Sequence, residues 1–529
     1  MEITTSAQRR SPRLDRLTPR ERWRRIRLRT YGGALTGVYG LTNLHPAVWK
    51  YVVRTYRPSF DAIARRHARL SCAHAAVDVP AYRDLVRLAG VTSHRRLTDF
   101  PETTKDNYVT VYDETSRCRH GELDLVGTVV DESAGSSGRP FNWVRGRREL
   151  ETVYRNASCY TELVFPSRRP FAINAFSMGA WATGTATGTA MARIAMVKNT
   201  GPDVDKIVDT LTHFGPGFDY VVSAYPPFLK HLRDRLDAIG FPWERYRIRG
   251  MVGGEPMTEA LRDYLQERFE EVRSGYGASD LSIGIGAETG FTVWLRRQLM
   301  TDVELRRDLL GADEQRLPMI FQYNPLETFL EVNGRGELLC TVNSRHVLQP
   351  KLRYNVGDEA RLAALPDVRK LIRRDPQRWD ACVQATADER MSLPLLFLFG
   401  RRDSTISYMG ANIYPQDVEY GLYADNPVAA DIERFCLTIE EQADLEPRPV
   451  VNIELRAGAT LDDDGRARLA ELCRQGVLRH LARVSRDFAQ SLAEDPTAAD
   501  LRVRVVESGG GPFGTANQKL KNTYLVRQP

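Results

Sequence analysis

A run of small residues at positions 133–138, Ser-Ala-Gly-Ser-Ser-Gly, is the first stretch whose composition suggests chemistry. Glycines permit tight turns in which successive backbone N–H groups point at one spot, and the hydroxyls add donors, so the run is a good cradle for an anion such as a phosphate. It lacks the Gly-Lys-Ser/Thr ending of a Walker loop, and Pro140 favours an extended backbone after it, which predicts a strand. Taken alone, the run is also compatible with an ordinary surface turn. The candidate contacts are Ser133, Gly135, Ser136, Ser137, Gly138 and Arg139.

Two lysines near the C-terminus, Lys519 and Lys521, stand out in a chain that uses arginine for most of its cations. Nine of the 74 Lys and Arg residues are lysine, and none lies between Lys370 and Lys519. A compact ammonium on a flexible stem can enter a narrow site that suits a planar guanidinium poorly. On a strand both lysines would lie on the same side, so the residues leave open which of them acts. The alternative is a solvated basic tail.

Further short motifs, four of them containing glycine, occur along the chain. They are FPETTKDNY (100–108), VGGEPM (252–257), SGYGASD (274–280), LRYNVGDEARL (352–362), FGRRDSTISYMGANIYPQDVE (399–419) and NQKLKN (517–522). In this order and spacing the set resembles the adenylate-forming (ANL) superfamily, and most closely the phenylacetate–CoA ligase family. The likeness runs from about residue 60 to residue 526, nearly the whole chain. Any one of these motifs would be weak evidence, but together they are a strong indication.

The resemblance implies roles that match what acyl adenylation requires. The reaction needs a triphosphate cradle, a carboxylate for Mg²⁺, an acid for the ribose hydroxyls and a cation where charge develops. The 133–139 loop would supply the cradle, although Arg139 replaces the family's lysine. Asp280 would hold Mg²⁺, where the family has the longer glutamate, and Asp358 would bind the ribose. Lys519 aligns with the family's active-site lysine. The bland alternatives are a turn-capping residue at 280 and a hairpin-turn residue at 358.

The resemblance also implies contacts to the base and the acyl group. Gly254, Glu255 and Pro256 would approach the purine closely, and Tyr276 would line the adenine or acyl pocket. Gly277 follows it in the same motif and is a candidate substrate contact. The family's substrate-contact region corresponds to 176–184 and 223–228, which makes Trp181 and Tyr225 candidates for shaping the acyl pocket. Aromatic walls suit an aromatic or compact apolar acid, but the same rings could serve as core packing.

Strand-like and helix-like stretches alternate after about residue 125, which predicts an α/β fold with mixed or parallel sheets covered by helices. A basic arm or helix is expected over 1–45, and an ATP- and acyl-binding adenylation domain over 46–402. A small mobile α+β lid domain is expected over 403–529. By resemblance, Arg401 would reach the nucleotide, and Asp403 would be the hinge at which the small domain swings. An ordinary interdomain hairpin is the alternative for that segment.

Composition narrows the class of protein. The net charge of +6 over 529 residues does not require nucleic acid, and the apolar runs are too short to span a bilayer. The arginine-rich first 30 residues also contain acids, unlike a transit peptide. Seven scattered cysteines without Cys-x-x-Cys argue against a zinc site or a disulfide framework and for a reducing cytoplasm. We expect neither nucleic-acid nor membrane partners, and a homodimer is compatible with the sequence.

The motifs together predict a ligase that uses ATP and Mg²⁺ to activate a carboxylic acid as acyl-AMP, with release of pyrophosphate. The acyl group would then pass to coenzyme A. A first alternative passes it to an amine or another nitrogen nucleophile, because Arg139 and Asp280 depart from the family pattern. A second alternative is a nucleotide-binding homologue that has lost catalysis.

Overall fold

The computed structural model describes part of the N-terminal arm and most of the chain from residue 45 to residue 513. The described residues are 9–13, 19, 22–23, 25–26, 28, 40 and 45–513, the last range with gaps at 134–140, 181, 255, 258, 313, 315–316, 345, 402–405, 409–410, 414–416, 419–420, 423–425, 429–430, 442–446, 457 and 460. The phosphate-cradle positions 134–140 and the lysines at 519 and 521 therefore lie outside the described residues.

The α-helices begin at the kinds of residue that favour helix starts. Asp203, Thr289 and Asp375 accept hydrogen bonds from backbone N–H groups in the first turns of the helices that follow them, which satisfies donors that would otherwise be unpaired. The helices are α1 (Pro46–Arg54), α2 (Ser59–Asp78), α3 (Pro80–Leu88), α4 (Glu114–Arg117), α5 (Arg147–Val164), α6 (Ala182–Met191), α7 (Val204–Phe214), α8 (Pro226–Ala238), α9 (Glu259–Gln266), α10 (Gly290–Thr301), α11 (Val303–Leu310), α12 (Leu365–Ile372), α13 (Pro376–Ala385), α14 (Asp463–Val484) and α15 (Arg486–Glu494).

The strands are short and rich in β-branched and aromatic residues, as expected for a sheet covered by helices. They are β1 (Val129–Ser133), β2 (Phe141–Arg145), β3 (Pro170–Asn174), β4 (Met196–Asn199), β5 (Asp219–Ala224), β6 (Arg247–Gly253), β7 (Glu271–Ala278), β8 (Ser282–Ala287), β9 (Met319–Tyr323), β10 (Thr328–Val332), β11 (Glu337–Val342), β12 (Tyr354–Ala363), β13 (Leu395–Arg401), β14 (Ile406–Tyr408), β15 (Ala411–Ile413), β16 (Ile432–Glu441), β17 (Pro447–Leu455) and β18 (Arg502–Val506).

One large mixed sheet forms the centre of the molecule. Its eleven strands lie in the order β10-β11-β12-β13-β9-β8-β7-β6-β5-β3-β4. Neighbouring strands are parallel from β4 to β7 and antiparallel from β7 onwards. Every residue of β5 is buried, as expected for a parallel strand with helices on both faces. The carboxyl end of β7 thus lies where the parallel half of the sheet meets the antiparallel half.

Helices cover both faces of the parallel half, so alternate residues of each strand enter different cores. On one face Val252 and Val272 pack in a core with residues of α7, α8 and α9. On the other face, Met251 and Ile283 pack with Ala157 of α5 and residues of α6. Helices α5 and α6 therefore cover the strand side chains on this second face of the sheet.

The C-terminal part has a core and a sheet of its own. Residues between Ile406 and Leu501 form one hydrophobic cluster around the three-stranded sheet β16-β17-β18. Helix α15 contacts the larger part of the molecule, which contains the eleven-stranded sheet. Gln490 Nε2 donates to the backbone oxygen of Met178 at 3.2 Å, and Ser177 Oγ donates to Glu494 Oε2 at 2.6 Å. The domain boundary near residue 403 falls among residues outside the described part and stays a prediction.

Two of the motifs lie where the strand pairing is irregular. The Gly-Tyr-Gly segment ends strand β7, directly before the turn that carries Asp280, and Asp358 lies inside β12. In both places the pairing register shifts, between Tyr276 and Ala278 and between Glu359 and Ala360. Glycines inside strands commonly mark such bulges, which explains why a pattern resembling turns is compatible with strands. Among the described helices, none is long and apolar enough to cross a lipid bilayer.

Candidate active site

The predicted phosphate loop connects two paired strand ends. Strands β1 and β2 are antiparallel, and Ser133 lies opposite Phe141. The loop residues Gly135 to Arg139 lie outside the described residues, so the cradle itself stays a prediction. The structure shows where its two ends are held.

A buried arginine ties this hairpin to the turn that carries Asp280. Arg145 of β2 donates from Nε to Asp131 Oδ2 of β1 at 2.7 Å and from Nη1 to Glu149 Oε1 at 3.3 Å. It also donates to the backbone oxygens of Ser279, at 2.5 Å, and of Leu281. Our reading of the sequence did not single out Arg145, although an arginine in a short strand directly after the glycine-rich loop was an available signal.

Asp280 lies in the turn between β7 and β8 and is buried. Its Oδ2 accepts a hydrogen bond from Tyr354 Oη at 2.8 Å and pairs with Lys105 Nζ at 3.2 Å. Burial would raise the pKa of Asp280, but the charge of Lys105 and the Tyr354 hydrogen bond outweigh it, so the pKa lies below its ordinary value. The carboxylate is therefore ionised at neutral pH.

Lys105 belongs to the 100–108 motif, for which the sequence predicted no particular role. Besides pairing with Asp280, its ammonium lies 5.1 Å from the centroid of the Phe141 ring, at the start of β2. The lysine thus stands between the carboxylate and one end of the phosphate loop. The motif was visible in the sequence, but its spatial partner was 175 residues away.

A second lysine lies buried near this group. The Lys351 ammonium is 3.8 Å from the centroid of the Trp143 ring. Burial lowers the pKa of Lys351 well below its ordinary value, and the charges of Arg145 and Arg117 lower it further. Burial likewise raises the pKa of Glu149. Buried titratable side chains thus lie near the strand that follows the loop, in an environment where electrostatic interactions are stronger than in water.

The side chains around Asp280 can be compared with the ligands that Mg²⁺ requires. Among the described residues, no three His, Cys, Asp or Glu side chains cluster as a dedicated protein metal site requires. Mg²⁺ that arrives with a nucleotide needs only one or two carboxylates in addition to the phosphates. Asp280 fits that role, because it is ionised and both its Tyr354 and Lys105 contacts are made through Oδ2.

The tyrosine and the acid predicted to contact the nucleoside are in direct contact. Tyr276 Oη donates to Asp358 Oδ2 at 2.7 Å, which joins β7 to β12. The Tyr276 ring lies 5.6 Å from the Phe321 ring. In the β12–β13 pairing, the backbone of Asp358 lies opposite that of Arg401. The predicted ribose, base and hinge-side positions are thus adjacent.

The predicted purine-contact motif lies against Tyr225. Gly254 has φ = +82°, and a Cβ there would lie 2.7 Å from Tyr225 Cε1, so glycine is required for two reasons. The Tyr225 ring also packs edge-on against Phe176, with 5.2 Å between centroids. Pro256 follows on the exposed surface, and Glu255 lies outside the described residues.

A cavity of about 120 Å³ extends from this region between α5, α6 and strands β6 to β8. Tyr276, Gly277 and Gly254 line it, and their contacts to a substrate stay predictions. The predicted Trp181 lies outside the described residues. Tyr225 is not among the lining residues but packs behind Gly254 and Phe176, which are. Much of the wall is apolar or aromatic, including Tyr160, Phe165, Phe176, Met191, Met251 and Ile283.

The sequence of this chain is similar to that of a known ligase. No family model matches the chain. The phenylacetate-coenzyme A ligase of Thermus thermophilus is 24% identical to it over 392 residues, which cover 70% of this chain and 78% of that protein. The resemblance predicted from the motifs, to phenylacetate–CoA ligases of the adenylate-forming superfamily, is confirmed.

Solved structures show the fold. The structure of 2-hydroxyisobutyryl-CoA ligase in complex with 2-HIB-AMP and CoA has a TM-score of 0.56 and 14% identity to this chain, covering 89% of this chain and 91% of that chain. The amide bond synthetase McbA from Marinactinospora thermotolerans has a TM-score of 0.42 at 14% identity, covering 83% and 79%. The first of these confirms the predicted fold class.

Proposed function

We propose, from the likeness to phenylacetate–CoA ligases, that this chain is an adenylate-forming acid ligase. It joins a carboxylic acid to ATP as acyl-AMP with release of pyrophosphate, and it then transfers the acyl group to coenzyme A. One observation carries the proposal. The Tyr276–Asp358 pair, the Asp280 carboxylate and part of the wall of an apolar cavity lie together at the carboxyl end of β7.

Asp358 binds the ribose in this proposal. A carboxylate that accepts from two ribose hydroxyls forms charge-assisted hydrogen bonds, which are stronger than neutral ones. Tyr276 donates to Asp358 Oδ2 and therefore fixes the orientation of the carboxylate. The same tyrosine lines the cavity, so it separates the nucleoside from the acyl group.

The triphosphate lies between the 133–139 loop and Asp280. Lys105 contributes positive charge at that point, next to the loop end at Phe141. Asp280 would hold Mg²⁺, which, when bound, stabilises the negative charge that develops on the departing pyrophosphate. Lys519, with Lys521 as the alternative, would contact the acyl carboxylate and the α-phosphate in the transition state.

The acyl group occupies the cavity, with its carboxylate at the end lined by Gly277. At that end the acid lies next to Tyr276 and close to the turn that carries Asp280. The apolar and aromatic wall favours an aromatic or compact apolar acid over a strongly polar one. The glycines at 254 and 277 allow the backbone to approach the ligand closely.

An amine acceptor is the second candidate, and one observation favours it. A cavity of about 760 Å³ between the larger part and α15 is lined by Asp203, Asp205, Glu494 and Asp495, with His231 and Arg235 as the basic residues. A surface with this excess of negative charge attracts a cationic amine and repels the phosphates of coenzyme A. We keep coenzyme A as the first acceptor because the curated relative is a coenzyme A ligase.

We also place the enzyme in the cytoplasm, since its seven cysteines, all within the described residues, are buried and form no disulfide bond. The homodimer stays a prediction.

The test is pyrophosphate release with a panel of aromatic and short aliphatic acids, followed by product analysis with coenzyme A or with amines. We expect AMP and pyrophosphate in equal amounts, and a thioester with coenzyme A. Amide formation without thioester formation would assign the enzyme to the alternative. The absence of pyrophosphate release with every acid would refute the proposal.

A further inference from the structure

One charged side chain of the apolar cavity has no role in the proposed chemistry. Arg273 lies on β7, opposite Met251 of β6, and therefore on the sheet face that α5 and α6 cover. It is among the residues that line the cavity. It precedes Gly277 by four residues, or roughly 13 Å along a strand. The cation is thus at the end of the cavity remote from the site of adenylation.

The Arg273 guanidinium has hydrogen-bonding capacity left over. An arginine side chain carries five N–H donors. Arg273 Nη2 pairs with Glu271, but Nε is buried and has no hydrogen-bond partner among the described residues. Burial lowers the pKa of Arg273 and Glu271 opposes the shift, but an arginine remains protonated at neutral pH. A buried donor without a hydrogen-bond partner lowers stability, so we expect a bound ligand to supply an acceptor for the Arg273 side chain.

Glu288 is the carboxylate among the described residues that line the cavity, and its oxygens already accept hydrogen bonds. Glu288 accepts both Nη2 contacts of Arg262, at 2.8 and 2.9 Å, and a third hydrogen bond from Ser274 N at 2.7 Å. It is fully buried and does not pair with Arg273. Glu271, in contrast, already balances the charge of Arg273. A neutral acceptor therefore suits the remaining donors better than a second anionic group.

We propose that Arg273 determines which acids this enzyme accepts, by donating to a neutral oxygen acceptor at the far end of the acyl group. The preferred acids carry a hydroxyl, ether or carbonyl oxygen on an otherwise apolar or aromatic body. This inference rests on the proposed function, because it assumes that the cavity holds the acyl group. A site that hydrogen-bonds a substrate group discriminates strongly against the analogue that lacks it.

The preference can be measured with matched acids. Phenylacetate is compared with its 3- and 4-hydroxy and 3- and 4-methoxy derivatives by pyrophosphate release. For the parent enzyme we expect kcat/KM to be roughly tenfold to a hundredfold higher for the best oxygen-bearing acid than for phenylacetate. In Arg273→Met the preference should disappear or reverse, while activity with phenylacetate persists. Arg273→Lys should restore part of the preference, because it retains a charged donor.

Removal of Arg273 leaves the half-buried Glu271 without this ion-pair partner, which lowers the stability of the single variant. The double variant Arg273→Met with Glu271→Gln removes both charges and separates specificity from folding. Glu271→Gln alone is the matched control and should keep the preference for oxygen-bearing acids. An unchanged ratio of kcat/KM values in the folded double variant would overturn the role of Arg273. If the parent activates none of these phenylacetates but activates other acids of the wider panel, this inference fails alone; if no acid supports pyrophosphate release, the proposed function fails as well.

Discussion

Replacement of Arg145 by methionine tests whether the buried ion pairs hold the phosphate loop and the Asp280 turn together. The arginine contacts Asp131, Glu149 and the backbone oxygens of Ser279 and Leu281, and its side chain is 3% exposed. Removal of one partner of a buried ion pair typically costs about 3–5 kcal/mol, because a buried charge is left uncompensated. Glu149 can relieve part of this cost by protonation, since its pKa is already raised by burial. We therefore expect a loss of about 3 kcal/mol in the free energy of unfolding.

The assay is urea unfolding together with ATP titrations of pyrophosphate release. Arg148→Met is the matched control, because Arg148 is exposed and lies three residues away, and it should change neither quantity. Arg145→Lys keeps the charge but not the planar fork, so its effects should be intermediate. Stability of Arg145→Met within about 1 kcal/mol of the parent would contradict the structural role. Lost stability with an unchanged KM for ATP would contradict the coupling to the site.

Three further predictions concern the nucleotide, the C-terminal lysines and pH. Asp358→Ala should raise the KM for ATP roughly tenfold or more, as expected for a lost charge-assisted contact; overlapping ATP titrations would assign the ribose elsewhere. Lys519→Ala and Lys519→Arg should abolish pyrophosphate release yet spare acyl transfer from supplied acyl-AMP, whereas Lys521→Ala should do much less; the reverse pattern would make Lys521 the active lysine. The hydrogen bond from Arg335 lowers the pKa of Glu337 to about 2, so this carboxylate stabilises the fold above its ordinary pKa of 4.5, and the effect is lost as the pH falls towards 2. In urea unfolding, Glu337→Gln should therefore be less stable than the parent at pH 6, with a difference that narrows below pH 4.5; a difference independent of pH would show that the charge is not the cause.

Much of the fold could be predicted from local sequence patterns. Alternation of strands and helices predicted the mixed α/β class. The motifs predicted Tyr276 at the adenine or acyl pocket and Asp358 at the ribose; the structure joins the two side chains by a hydrogen bond, and their roles stay predictions. These features depend on periodicity or on short motifs, which a single sequence displays directly.

Contacts between distant segments could not be predicted in the same way. Lys105 meets Asp280 across 175 positions, and Arg145 reaches the backbone of residues 279 and 281 because of where the hairpin docks on the sheet. Neither pairing leaves a pattern in the local sequence. The register shift around Gly277 could not be predicted for a related reason, since glycine favours both turns and bulges and only the pairing of strands distinguishes them.

Exchange of labelled pyrophosphate into ATP tests directly whether this chain forms an acyl adenylate. With ATP and Mg²⁺ present, labelled pyrophosphate should enter ATP only when a suitable carboxylic acid is added, and without any acceptor. Asp358→Ala should depress this exchange at low ATP concentration and recover at high concentration. Exchange that does not depend on the acid, or cleavage of ATP to ADP and phosphate, would contradict the formation of an acyl adenylate.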